Sequence, residues 1–186
     1  TAPAYRDDVK QFQALAVVKQ PVDVMWVTVR DRMPELGAMV EDVESITLVE
    51  RTDVGEGRVR LVNEWQAAQR IPELLAKPLN VSTVGWVDTA EWDTATMVCT
   101  WSIQPFVFPD HIDCRGTTTY EAAMGGRGTR VTFQGSFDLA PGALGGLAKP
   151  LERPVGAFVE SIISTMIPKN TRKIIEAAAA QLTTEA

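Results

Sequence analysis

The side chains able to do chemistry are few and scattered along the chain. His111 is the single histidine and the obvious candidate base. It sits in Pro109-Asp110-His111-Ile112-Asp113, beside a turn. Strand parity points it away from the interior, so it reads as a surface histidine between two aspartates. No Gly-x-Ser-x-Gly motif and no nucleophile–histidine–acid set is present. Two cysteines, Cys99 and Cys114, have no CxxC spacing, which argues against a disulfide scaffold or a structural zinc site. Set opposite each other on paired strands they would make a strained bridge. They are read instead as buried free thiols acting as small hydrophobes. One histidine leaves no His-rich metal site either, and no cofactor is expected. Carboxylate pairs occur at Asp88 with Glu91 and at Asp110 with Asp113, near predicted strand ends where solvation is expected. Asp93 is assigned to a hairpin turn. Lys169, Arg172 and Lys173 read as a solvated helical face. Tyr120 and Asn63 are candidate polar groups on the predicted inward face. Thr118 is a further inward polar group.

These residues need a scaffold, and the composition bounds it. The chain has 186 residues, 45% of them hydrophobic and 23% charged, which suits one sizeable domain over 1–186 with a loose tail at 1–8. The net charge is −6. An acidic chain lacks the basic field that phosphate binding needs, so no nucleic acid is expected as a partner. No apolar run approaches the roughly 18 residues of a membrane span, so no integral membrane segment is expected. The start shows no charged-then-apolar leader, and a cytoplasmic location is the expectation. The first residue is Thr, so processing upstream of it stays open.

In chain order, alternation predicts a first strand over Val9–Lys19, ended by Gln20-Pro21. Val22, Met25, Trp26, Val29 and Met33 then recur at helical spacing, and Met33–Leu36 reads as a break into a second helical turn. Strands follow over Val43–Asp53 and Gly57–Ala67, joined at Val54–Gly57. In the second, Val59, Leu61, Asn63 and Trp65 share one face against Arg58, Arg60 and Glu64. Ile71–Val81 reads as a loop with one helical turn. Its leucines, Leu75 among them, either close a lid or pack on the sheet edge. Val84–Glu91 and Thr94–Gln104 form a hairpin around Trp92-Asp93. His111–Met124 and Thr129–Leu139 form another around Gly125–Gly128. After a glycine-rich connection, Pro154–Leu182 reads as one long helix with a stripe through Val155, Phe158, Val159, Ile162, Ile163, Met166 and Ile167. Pro168 is expected to kink it, or else to break it and start a second helix. An antiparallel meander with one apolar face needs a partner, and this helix is the one element long enough. The expected architecture is α+β: a strongly bent seven-stranded antiparallel sheet around the C-terminal helix.

Tight turns centred near Phe106-Val107 and Gly126-Arg127 would set Cys99 opposite Cys114, Trp101 opposite Ile112, and Tyr120 opposite Phe133. The inward face then carries Met97, Cys99, Trp101, Ile103, Tyr120, Phe133 and Phe137, with Thr100, Ser102, Arg115 and Gln134 outward. The plain reading of this face is a filled core; Gly116 and Gly135, which leave gaps on it, and the separation of the large aromatics point instead toward a cavity, which the resemblance given below also favours. Its lining would be Trp65, Met97, Cys99, Trp101, Ile103, Tyr120, Phe133 and Phe137 from the sheet. The helix would add Phe158, Ile162 and Met166, and the loop Leu75.

This order resembles the helix-grip fold of the START / Bet v 1-like superfamily, which also includes polyketide cyclases. The resemblance rests on Gln20-Pro21 running into a helix with Trp26 and the Asp31–Pro34 turn. Val43–Glu50 followed by Gly55-Glu56-Gly57 adds to it, as does the Gly125–Gly128 hairpin before a strand ending Phe137-Asp138-Leu139. It implies a cavity for an apolar ligand between sheet and helix. The leading functional expectation is binding or carriage of a hydrophobic small molecule: a lipid, a polyketide or an aromatic. The alternatives are a polyketide aromatase/cyclase-type enzyme using Tyr120 with Asn63 or Asp88, and a protein-interaction module. Two or more converging ionisable groups on the inward face would favour the enzyme, and an all-apolar lining the carrier. The sequence leaves room for a homodimer.

Overall fold

The computed structural model describes residues 9–186; the predicted loose tail at 1–8 lies outside them. Strand β1 (Lys10–Val18) leads into helices α1 (Val22–Asp31) and α2 (Met33–Gly37). Strands β2 (Val43–Gly55) and β3 (Arg58–Arg70) follow, then helix α3 (Glu73–Leu79) and strands β4 (Thr83–Asp93), β5 (Val98–Pro105), β6 (Ile112–Ala123) and β7 (Gly128–Leu139). The chain closes with α4 (Lys149–Ser161), a π turn (Ile162–Met166) and α5 (Ile167–Glu185). The seven strands form one antiparallel sheet in the order β1-β7-β6-β5-β4-β3-β2. Only β1 and β7 pair across a long connection; every other neighbour is joined by a hairpin or, between β3 and β4, by α3.

Period-two alternation decides which side of the sheet is dry. Leu61, Asn63, Trp65 and Ala67 of β3 are buried, and so are Cys99, Trp101 and Ile103 of β5. The same holds for Ile112, Cys114, Thr118 and Tyr120 of β6 and for Val131, Phe133 and Phe137 of β7. The expected partition into faces therefore stands. The opposite wall is the stripe Val155, Val159, Ile162, Ile163, Ile167, Ile174 and Ala178, all almost fully buried. Met25, Trp26, Val29 and Leu36 of α1 and α2 complete the core.

The registers differ from expectation. Cys99 lies opposite Thr118, Trp101 opposite Gly116, and Ile103 opposite Cys114. A six-residue loop, 106–111, replaces the tight turn. In it Phe108 takes φ 51°, Phe106 N–H donates to the Gly85 carbonyl and His111 N–H to that of Phe108. Two extra residues in the loop on each side of the fold-back move each partner by four, which keeps parity and changes neighbours. Cys99 and Cys114 are thus not opposed, and both are buried free thiols. At the next hairpin Met124–Gly126 makes a 3₁₀ turn with Gly125 at φ 65° and Gly126 at φ 85°. Tyr120 consequently meets Val131, and Gly116 meets Gly135.

That last pairing overturns the expected gaps. A Cβ on Gly116 would lie 2.6 Å from Trp101 Cζ2, and one on Gly135 would lie 2.4 Å from Trp101 Cη2. The two glycines seat the Trp101 indole, which also stacks on Phe133 with centroids 4.6 Å apart. Nor are the other aromatics separated. Trp65 stacks on Trp86, and Trp26 meets Trp92 and Tyr120 edge-on at 5.0 and 5.2 Å.

The C-terminal helix begins earlier than Pro154. Pro150 occupies the first turn, where no N–H is needed, and Pro154 falls inside α4. Pro168 neither ends the helix nor restarts it. Ser161, Ile162, Met166 and Ile167 all keep right-handed helical dihedrals, and the π turn just before Pro168 absorbs its missing N–H. Ile71–Val81, expected to be mostly loop, contains α3, with Leu75 buried and Leu74 70% exposed.

Candidate functional site

One void lies between the sheet and α5, bounded by α1 and α2. It measures about 40 Å³. A water needs roughly 10–15 Å³ by the same measure, so the space admits a few waters. Drug-sized ligands occupy several hundred. Among the described residues this interior is therefore a nearly filled core with a small hollow, rather than the ligand-sized cavity expected. From the sheet, Trp65, Trp86, Trp92 and Trp101 surround the hollow with Cys99, Ile103 and Phe133. From the helices come Val29, Met33, Ile167, Thr171, Ile174 and Ile175.

Three groups that ionise line it together: Asp88, Tyr120 and Cys99. Asp88 lies mid-β4, with Asn63 of β3 and Ile103 of β5 as its neighbours. It is not the solvated strand-end carboxylate that the sequence suggested. The strand runs on to Asp93, so Trp86, Asp88, Ala90 and Trp92 all fall on the inward face. By accessible area Asp88 is half-buried, and its parity turns that area toward the hollow. Its Oδ1 is shut off from solvent and has no hydrogen-bond partner. Desolvation penalises the charged form and lifts the carboxyl from its usual range to about 7. Burial likewise raises Tyr120 and Cys99 well above their ordinary values, the second cause being the charge of Cys99 for Tyr120 and of Asp88 for Cys99. Cys114 is pushed up to about 12, mainly by burial.

The hydrogen-bonding pattern is lopsided. Trp26 Nε1 donates to Thr94 Oγ1 at 3.2 Å, and Trp101 Nε1 donates to Thr118 Oγ1 at 3.1 Å. The Trp65 and Trp92 indole nitrogens are buried donors without an acceptor. Asn63 Oδ1, like Asp88 Oδ1, is a buried acceptor without a donor. Each unmet buried group costs about 1–3 kcal/mol. Among the described residues no group of His, Cys, Asp and Glu could hold a metal.

Among the residues named from sequence, the structure brings Trp65, Cys99, Trp101, Ile103, Tyr120, Phe133 and Asp88 to the hollow. Asn63 adjoins it beside Asp88. Met97 lies in the β4–β5 turn with φ 54°. Phe137 and Leu75 pack in the core away from the hollow, and so does Ile162; Phe158 and Met166 pack against that core half-exposed. The helical wall is instead Ile167–Ile175, farther along the helix than expected. Trp86 and Thr171 are not among the lining residues named from sequence, and Trp92 is assigned there to a turn, although the alternation Trp86-Asp88-Ala90-Trp92 carries both tryptophans inward. His111 is exposed, as parity required.

Sheet order, the two helices after β1 and the long C-terminal helix together define a helix-grip, Bet v 1-like fold. Among solved structures, the Zhui aromatase/cyclase from Streptomyces sp. R1128 superposes with a TM-score of 0.59 at 14% identity, covering 93% of each chain. Ara h 8.0201 superposes with a TM-score of 0.54 at 17% identity, over 95% of this chain and 99% of that one. The di-domain ARO/CYC StfQ of the steffimycin biosynthetic pathway gives 0.59 at 11% identity, over 97% of this chain and 54% of that one. At these identities the likeness is one of fold. No family model matches the sequence, and no curated protein does.

Proposed function

We propose that the interior between the sheet and α5 takes up a small aromatic molecule bearing hydroxyl and carbonyl groups. The observation that carries this reading is a tryptophan-lined hollow ending on an unpaired buried carboxyl, with donors and acceptors left unmet around it. Trp65 and Trp92 offer N–H groups to carbonyl oxygens. Asp88 and Asn63 offer oxygens to a hydroxyl. Indole faces supply the apolar contact. Uptake requires the walls to part, since a hollow of about 40 Å³ has room only for a few waters.

A second reading, an aromatase/cyclase-type enzyme, is favoured by one specific observation. Asp88, Tyr120 and Cys99 converge on one hollow, and a carboxyl titrating near 7 is matched to base catalysis at neutral pH. The Asp88 carboxylate would take a proton from a carbon beside a carbonyl, and the Tyr120 hydroxyl would donate a hydrogen bond to the oxygen where charge develops. Titration with 1-anilinonaphthalene-8-sulfonate, followed by displacement with 1-naphthol, tests uptake. Saturable probe emission reversed by naphthol is expected. No uptake by the folded protein overturns the reading.

A further inference from the structure

Asp88 is a carboxyl that the fold carries inward without a counter-ion. Asp31, Asp42, Asp113 and Glu185 each pair with an arginine or a lysine nearer the surface. Among the described residues no cation meets Asp88, and nothing opposes the burial that penalises its charge. No lysine, arginine or histidine lines the hollow on which it opens. Six aromatic rings do: Trp65, Trp86, Trp92, Trp101, Tyr120 and Phe133. Trp65 stacks on Trp86 and Trp101 on Phe133, so each pair keeps two outer faces. Ring faces are negative, and with a carboxyl beside them the walls attract one sign of charge.

The hydrogen-bonding groups that line the hollow ask for the same partner. On the helical wall, Thr171 Oγ1 spends its proton on the Ile167 carbonyl at 2.9 Å, so toward a ligand it only accepts. The ionised Asp88 carboxylate also only accepts. An alkylammonium group has three donors and no acceptor. Its size fits too, because about 40 Å³ seats a group as large as a few waters before any wall moves. The other titratable groups around Asp88 supply no competing cation. They are Cys99 on β5 and Cys114 and Tyr120 on β6, all held neutral by burial. The helices α1, α2 and α5 present apolar side chains and Thr171, β3 presents Asn63 and Trp65, and β7 presents Phe133.

We propose that the occupant of this hollow is an aromatic alkylamine, its ammonium group donating to the Asp88 carboxylate and to Thr171 Oγ1. This rests on the uptake reading above and names the charge of the ligand; the hydroxyl or carbonyl of that reading stays elsewhere on the ring. Entry of the cation converts Asp88 from its neutral to its charged form, and the released proton passes to solvent. The test is isothermal titration calorimetry of the full chain with 1-naphthylmethylamine. Its neutral isostere 1-naphthalenemethanol is the control, and 1-naphthol reports uptake as such. At pH 8 the amine should bind at least tenfold more tightly than the alcohol. Its affinity should rise about tenfold from pH 6 to 8, as the charged fraction of Asp88 climbs from roughly a tenth to nine tenths, while that of the alcohol should not rise. Asp88→Asn should bring the ratio of amine to alcohol affinity to one or below and remove the rise. Uptake of 1-naphthol with no preference for the amine overturns this inference and leaves the uptake reading standing. Binding of none of the three overturns both. An amine preference that survives in Asp88→Asn places the cation elsewhere and overturns the inference as well.

Discussion

Replacing Asp88 by Asn should abolish a pH dependence of stability that a single carboxyl creates. In the unfolded chain an aspartate titrates near its ordinary value, about 3.9. In the fold Asp88 titrates at about 7, because burial disfavours its charge. Between those values the folded protein keeps a proton that the unfolded chain has lost, so stability falls as pH rises. The slope approaches about 1.4 kcal/mol per pH unit, which gives roughly 2–3 kcal/mol lost between pH 5 and 7, and about 4 in all above pH 7. Asn is isosteric with the protonated acid and carries no charge. Asp31, Asp42 and Glu185 titrate below their ordinary values, held there first by Arg30, Lys173 and Arg32 respectively. Their contributions are lost only as pH falls through that lower range, outside this window. Urea unfolding followed by tryptophan fluorescence at pH 5, 6, 7 and 8 measures the effect. The wild type should weaken steadily across the series, while Asp88→Asn should stay flat and exceed it at pH 8. A flat wild type, or an equal slope in both proteins, would refute the burial of an ionisable carboxyl in the hollow.

Thr118→Val leaves the Trp101 indole N–H without an acceptor and should cost about 1–3 kcal/mol in urea unfolding, with little change in near-ultraviolet circular dichroism. Gly135→Ala drives a methyl into the Trp101 ring and toward the Arg115 carbonyl, 2.7 Å away; it should destabilise by about 1–3 kcal/mol and alter the tryptophan circular dichroism. Cys99 and Cys114 should resist a thiol reagent at pH 8 in the folded protein, and both should react in urea.

The faces of the sheet were legible because side-chain direction follows a period of two whatever the register. Register was not legible, since it depends on turn length: Phe108 in a left-handed conformation and the 3₁₀ turn at Met124–Gly126 each moved the fold-back point. Those slips hid the seat of Trp101, which exists only because Gly116 and Gly135 are cross-strand partners. The inward position of Asp88 was within reach. Ending β4 at Glu91 gave Trp92 to the turn and Asp88 to a strand end, whereas continuing the alternation through Trp92 places both inside. Pro168 announced a disturbance in the long helix, but the π turn that absorbs it depends on backbone bonds no side-chain pattern reports.

A crystal structure grown with saturating 1-naphthol tests the central claim most directly. The account predicts the rings among Trp65, Trp92 and Trp101, the hydroxyl within hydrogen-bond distance of Asp88, and a hollow enlarged well beyond about 40 Å³. An interior still closed at that volume, with no naphthol inside, would contradict it.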